Sequence, residues 1–177
     1  GNEVWLSPAT NPKAKLDYKW EIVKAGGAMV GINTSWPNKL VEEAILDGTI
    51  SELQGYDDLR REMKYGQKSR IDLFLSNHPE NADCYVEVKS VTLSRETALG
   101  EFPDSVTTRG TKHLNELKDM VDQGSRSVML YLAQRSDINQ FKVASDIDPA
   151  YADALKMAKE NGVEAYCYIC TVTPSGI

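Results

Sequence analysis

The feature that most limits how this chain can fold is a pair of strand-forming runs, Ile71-Asp72-Leu73-Phe74-Leu75 and Cys84-Tyr85-Val86-Glu87-Val88-Lys89-Ser90-Val91-Thr92-Leu93. Between them lies Asn77-His78-Pro79-Glu80-Asn81-Ala82-Asp83, a loop rich in turn formers, so the runs are expected to close into an antiparallel hairpin. If the hairpin is symmetric about the loop, the register that matches Ser76 with Asp83 also sets Asp72 opposite Glu87. Directly opposed like charges destabilise a sheet, so this register calls for a cation between them. Lys89 follows Glu87 by two and, by the period of a strand, shares its face, whereas Val86 and Val88 point the other way and can anchor the strand in a core.

Hard oxygen ligands of this kind favour Mg²⁺ or Mn²⁺ over zinc. The chemistry that fits is phosphodiester hydrolysis. Asp72, Glu87 and the main-chain carbonyl of Val88 would hold the cation, which acidifies a bound water and offsets charge in the transition state. Lys89 would orient the attacking water or stabilise the developing negative charge. The same spacing also fits an exposed hairpin whose three charged groups form a surface pair of little energetic weight.

Around the hairpin the pattern alternates. Val4–Leu6, Asp17–Val23 and Ala28–Ile32 read as strands, the last two joined by the turn signal Gly26-Gly27. They must pack on the rest of the chain or belong to a small barrel, since a lone hairpin is marginal in water. A helix should begin after a cap at Thr34 or Ser35 with Pro37 in its first turn, carry Leu40, Val41, Ala44 and Ile45, and end at Asp47-Gly48. Leu59–Tyr65 reads as a strand, and Ser105–Gln123 as a helix with Val106, Leu114, Leu117 and Val121 on one stripe. The strand Ser127–Ala133, a short strand near Phe141–Val143, the helix Pro149–Asn161 and the strand Val163–Thr171 complete a mixed sheet covered by helices on both sides.

Composition narrows the setting. Of 177 residues 41% are hydrophobic, yet no apolar run approaches the roughly 20 residues of a membrane helix, so no membrane contact is expected. The opening Gly1-Asn2-Glu3-Val4-Trp5 lacks the stretches of a signal peptide and a starting Met, as a fragment or a processed form would. Three cysteines make no disulfide framework, which favours the cytoplasm; Cys167 and Cys170, three apart in a strand, point to opposite faces and make a poor zinc or redox pair. A net charge of −6 argues against coating nucleic acid by bulk electrostatics but leaves room for a local basic groove.

The runs Gly66-Gln67-Lys68-Ser69-Arg70-Ile71-Asp72, Cys84–Leu93 and Phe102-Pro103-Asp104-Ser105-Val106-Thr107-Thr108-Arg109-Gly110-Thr111-Lys112-His113-Leu114 resemble the signatures of the sugar fermentation stimulation protein family, and the likeness covers nearly the whole chain. The resemblance implies an α/β fold: a restriction-endonuclease-like mixed sheet flanked by helices, of the PD-(D/E)xK nuclease type, over residues 33–177. Before it, residues 1–32 would be the later part of a small β-barrel (OB-fold) module whose earlier strands are absent. It also implies DNA binding and a link to the regulation of sugar, especially maltose, metabolism. In the related fold the helix after the catalytic strand often adds to the site, so Arg109, Lys112 and His113, on one stripe with Glu116, are candidates to contact DNA. The stripe equally fits a solvated face with a Lys112–Glu116 pair. A glutamate of the first helix, Glu43 rather than Glu42, is a candidate for the metal shell, and Arg70 could bind phosphate or temper Asp72.

Lys13, Lys15, Lys19 and Lys24 interleave with Trp5, Tyr18 and Trp20, which suits base stacking, although tryptophans in strands more often pack a barrel. The leading expectation is therefore a DNA-binding protein with a Mg²⁺- or Mn²⁺-dependent nuclease-like site. The alternatives are a regulator that keeps the nuclease fold as a scaffold, and a metal-dependent enzyme acting on RNA or a small phosphorylated molecule. A homo-oligomer is left open.

Overall fold

The computed structural model describes residues 1–66 and 69–176, so Gln67 and Lys68 of the first signature run lie outside the described residues. The chain opens with β1 (Val4–Pro8), β2 (Tyr18–Ala25) and β3 (Ala28–Gly31), an antiparallel sheet in that order. Gly26 and Gly27, at φ +60° and +89°, join the paired Ala25 and Ala28. Two successive positive φ values are what a two-residue hairpin turn of matching twist requires. This small sheet leans on the rest of the molecule: the Gly31 N–H donates to the Gln134 carbonyl at 2.8 Å, and Val30 bridges Arg135.

Next come α1 (Pro37–Leu46), β4 (Asp58–Tyr65), β5 (Ser69–Ser76), β6 (Cys84–Val91), β7 (Leu93–Glu96) and β8 (Ala98–Phe102). After these lie α2 (Thr108–Asp122), β9 (Arg126–Ala133), β10 (Ile138–Val143), α3 (Pro149–Glu160) and β11 (Glu164–Ile169). The main sheet has the order β11-β9-β6-β5-β4; β11, β9 and β6 run parallel, and β5 and β4 continue from β6 antiparallel. Residues 127–133 of β9 are buried without interruption, as a parallel strand covered on both faces must be.

Each face has its own core. Val41 and Ile45 of α1 pack on Leu73, Leu75, Val86, Val88 and Leu130. Leu114 and Leu117 of α2 and Tyr151 and Leu155 of α3 pack on Val91, Met129 and Tyr131 on the opposite face. The expected mixed α/β sheet between helices is therefore present, and Cys167 and Cys170 pack against opposite cores.

Local expectations needed correction in four places. The cap of α1 is Trp36, without a side-chain cap bond, because Asn33 Oδ1 instead accepts the Ser35 N–H at 3.0 Å and ties up the residues before the helix. The helix α2 starts at Thr108, capped by Thr107, so Val106 precedes it and is 70% exposed rather than part of the apolar stripe. Trp20 is exposed rather than packed, because the pairing of β1 with β2 shifts between Trp5 and Leu6 and turns Trp20 away from the buried Ile22.

Finally, Leu93 leaves the main sheet. β7 and β8 form a hairpin, and β10 pairs in parallel with β8 to make a second three-stranded sheet. A Cβ at Gly100 of β8 would lie 2.4 Å from Ile138 Cδ1 of β10, so a side chain there would push the buried tip of Ile138 aside.

Candidate active site

The hairpin of β5 and β6 adopts the expected register, with Leu73↔Val86, Phe74↔Tyr85 and Leu75↔Cys84, but the pairing ends one residue short of Asp72 and Glu87. The two acids therefore flank a fork between parting strands instead of facing each other in a ladder. At the fork the Val88 N–H donates to Asp72 Oδ2 at 2.8 Å, and the Asn38 side-chain amide of α1 donates to Oδ1 at 2.8 Å. The Asp72 carboxylate thereby satisfies a strand N–H where the pairing with β5 has stopped.

Glu87 is 2% exposed. Its Oε1 accepts from Lys89 Nζ at 2.6 Å, and His113 Nδ1 of α2 meets the same oxygen. Its Oε2 is buried and has no hydrogen-bond partner among the described residues. Lys89 Nζ is also 3.4 Å from His113 Nδ1, so the three side chains form one compact group.

The acids are held in opposite senses. Burial, and then the Glu87 charge, push the Asp72 carboxyl above its ordinary range against the opposing bonds from Val88 and Asn38. Burial pushes Glu87 up as well, but the His113 bond and the Lys89 charge outweigh it and hold Glu87 below its ordinary range. Tyr65 of β4 belongs to the same neighbourhood: burial and then the charges of Glu87, Glu116 and Asp72 push its hydroxyl up, and that hydroxyl has no partner among the described residues.

A hard divalent cation fits this donor set. An ionised Asp72 is poorly compensated, and Glu87 keeps one buried carboxylate oxygen without a partner. Among the described residues no three His, Cys, Asp or Glu side chains group as a metal cluster.

The other candidates divide. His113 is buried at 4% exposure against Glu87, while Arg109 is exposed at the rim and donates from Nε to His113 Nε2 at 3.3 Å. Lys112 donates to Ser69 Oγ at 3.0 Å and pairs with Glu116 at 3.4 Å, so the i,i+4 pair exists but on a face that is only partly solvated. Arg70 is exposed and lines a hollow with Lys64, Tyr65 and Ser69.

The structure does not bring Glu43 to the group. It is exposed and lines hollows with Leu40 and Asp47, whereas the inward face of α1 carries Asn38 and Glu42, the latter paired with Arg61 of β4. Reading the sequence missed Asn38 and Tyr65. Asn38 sits four residues before Glu42 on one helical face, a signal too common to single it out.

Comparison with known proteins bears on this geometry. Residues 35–176 match the family described as the sugar fermentation stimulation protein RE domain, and residues 1–32 match the SfsA N-terminal OB domain. The chain is 54% identical over 177 residues to a sugar fermentation stimulation protein homolog of Paramagnetospirillum magneticum, covering 100% of this chain and 74% of the relative. It is likewise 54% identical over 177 residues to that of Rhodospirillum centenum, covering 100% and 76%. The solved structure of Pyrococcus furiosus SfsA in complex with Ca²⁺ superposes with a TM-score of 0.86 at 28% identity, over 96% of this chain and 71% of that one.

Proposed function

This chain belongs to the sugar fermentation stimulation protein family, and on that footing we propose that it is a DNA-binding protein with a Mg²⁺- or Mn²⁺-dependent phosphodiesterase site at Asp72, Glu87 and Lys89. The observation that carries the proposal is the fork itself, where the charge of the buried Glu87 raises the carboxyl of the half-buried Asp72 and Glu87 Oε2 has no partner among the described residues. Within a strand a residue's N–H and C=O point to the same side, so the Val88 carbonyl lies on the side of β6 where its N–H meets Asp72 and is the candidate third oxygen ligand. The Ca²⁺ complex of the Pyrococcus furiosus relative supports a hard-cation site here, since Ca²⁺ also takes oxygen ligands.

A divalent cation bound there polarises a phosphoryl oxygen and makes a bound water more acidic. The chain's own groups do the rest. Lys89, held beside Glu87 at 2.6 Å, offers its remaining ammonium hydrogens to the attacking water or to charge developing on the phosphate. Arg70 and Arg109 are exposed at the rim, and with Lys112 they give a net-acidic protein a local basic margin for a DNA backbone.

The test is incubation of the full chain with single- and double-stranded DNA, with and without Mg²⁺ or Mn²⁺, beside Asp72→Ala and Glu87→Ala. Cation-dependent cleavage that falls about 100-fold or more in both variants is expected. DNA binding without cleavage in any ion would instead favour a second reading: a regulator of sugar metabolism, maltose included, that keeps the nuclease fold as a scaffold. The name shared by the curated relatives, sugar fermentation stimulation protein homolog, favours that reading.

A further inference from the structure

We infer that Arg109 and His113 form a positioning relay that fixes Glu87 with its second carboxylate oxygen turned to the cation, and that the buried His113 is not itself a contact to nucleic acid. The inference rests on the cation site proposed above.

The argument begins with proton accounting on the His113 ring. An arginine Nε carries a hydrogen at any accessible pH and can only donate. Arg109 Nε lies 3.3 Å from His113 Nε2, so Nε2 must be the accepting nitrogen. The ring's hydrogen then sits on Nδ1, the atom that meets Glu87 Oε1. The other end requires the same answer, because an unprotonated Nδ1 against a carboxylate oxygen would set two acceptors in contact. Lys89 Nζ lies 3.4 Å from Nδ1 but only 2.6 Å from Glu87 Oε1, so its contact with the ring is the weaker of the two.

The chain of donation therefore runs from Arg109 through His113 to Glu87. Both Lys89 and His113 converge on Oε1, leaving Oε2 buried and without a partner among the described residues. A carboxylate anchored through one oxygen loses the freedom to rotate, and its other oxygen keeps a fixed direction. The residues come from separate elements, α2 for the relay and β6 for the acid, so the orientation is imposed by packing and not by the strand alone. His113 is 4% exposed, which bars it from a DNA backbone and suits a buried strut.

The experiment uses the full chain and two readouts. Nitrogen chemical shifts of the ring, measured without divalent ions, are expected to show Nδ1 protonated and Nε2 bare in the wild type. Calorimetric titration with Ca²⁺ alone is expected to show His113→Ala weakened roughly 10- to 100-fold. His113→Asn, whose side-chain amide can place a donor near the Nδ1 position, should recover most of that loss. Arg109→Leu, which leaves the buried ring and its contact with Glu87 in place and guards against a misfolded His113→Ala, should free Nε2 of its donor, loosen the ring and weaken Ca²⁺ binding several-fold.

A wild-type ring protonated on Nε2 overturns the relay, as does a folded His113→Ala protein that binds Ca²⁺ like the wild type or an Asn variant no better than Ala. A wild-type chain that binds no Ca²⁺ while showing the Nδ1–H tautomer overturns the cation site, and with it the purpose assigned to the relay.

Discussion

Ionising Asp72 costs the folded chain stability, because burial and the neighbouring Glu87 charge both raise its carboxyl above the ordinary value. A folded-state value above the unfolded one means that the native chain holds this proton more tightly. The cost is thus full at neutral pH and fades as the pH falls toward about 4, where the unfolded carboxyl also gains its proton. Asp72→Asn keeps an acceptor for the Val88 N–H and removes the charge, so urea denaturation at pH 7 without divalent ions should show it more stable than the wild type. The gain should shrink toward pH 4, and Ca²⁺ binding should be lost. An Asn variant less stable than wild type at pH 7 would mean that the bonds from Val88 and Asn38 already outweigh the repulsion. Asp72, Glu87 and Lys89 were legible in the sequence because strand period and a short loop fix their spacing. Asn38 was not, since it reaches Asp72 across 34 residues of chain.

At the scale of elements, the two helices behind the site share one buried acid. Asp148 is 2% exposed; its Oδ1 accepts the Tyr151 N–H at 3.0 Å and so caps α3, while its Oδ2 accepts the Thr107 N–H at 2.7 Å just ahead of α2. Asp148→Ala would strand two main-chain donors at helix starts, and a loss of about 2–3 kcal/mol is expected by chemical denaturation. Because α2 carries His113, the same variant should also weaken Ca²⁺ binding. The helix α3 was readable from Pro149 and its apolar spacing, and α2 from Leu114 and Leu117. The hairpin of β7 and β8 was not, because Ala98-Leu99-Gly100-Glu101-Phe102 has no alternation and only Phe102 as a strong strand former. It is held from outside, by pairing with β10 and by Arg95, which donates to both Glu101 oxygens at 2.8 and 2.7 Å.

For the molecule as a whole, the junction between the small opening sheet and the main body is narrow. It includes the main-chain bond from Gly31 to Gln134 and the bridge from Val30 to Arg135. Arg135 stiffens that segment, donating to both Asp137 oxygens at 2.7 Å and to the Thr92 carbonyl at 2.7 Å. Arg135→Leu should therefore raise amide hydrogen exchange in β2 and β3 while leaving protection in β6 and β9 unchanged. Equal loss of protection in all four strands would mean that the two parts open together.

The amino-acid order determined, unaided, what short-range repeats set: the three helices and the strands of the main sheet in outline, the hairpin register, and the shared face of Glu87 and Lys89. These features arise from backbone period and turn chemistry, which act over a few residues. Only the tertiary structure decided that β5 and β6 part at Asp72, that Asn38 rather than Glu43 faces it, and that His113 is a buried partner of Glu87. Those outcomes depend on how a twisted sheet and its covering helices pack, and no local spacing encodes which side chains a fork between strands will gather.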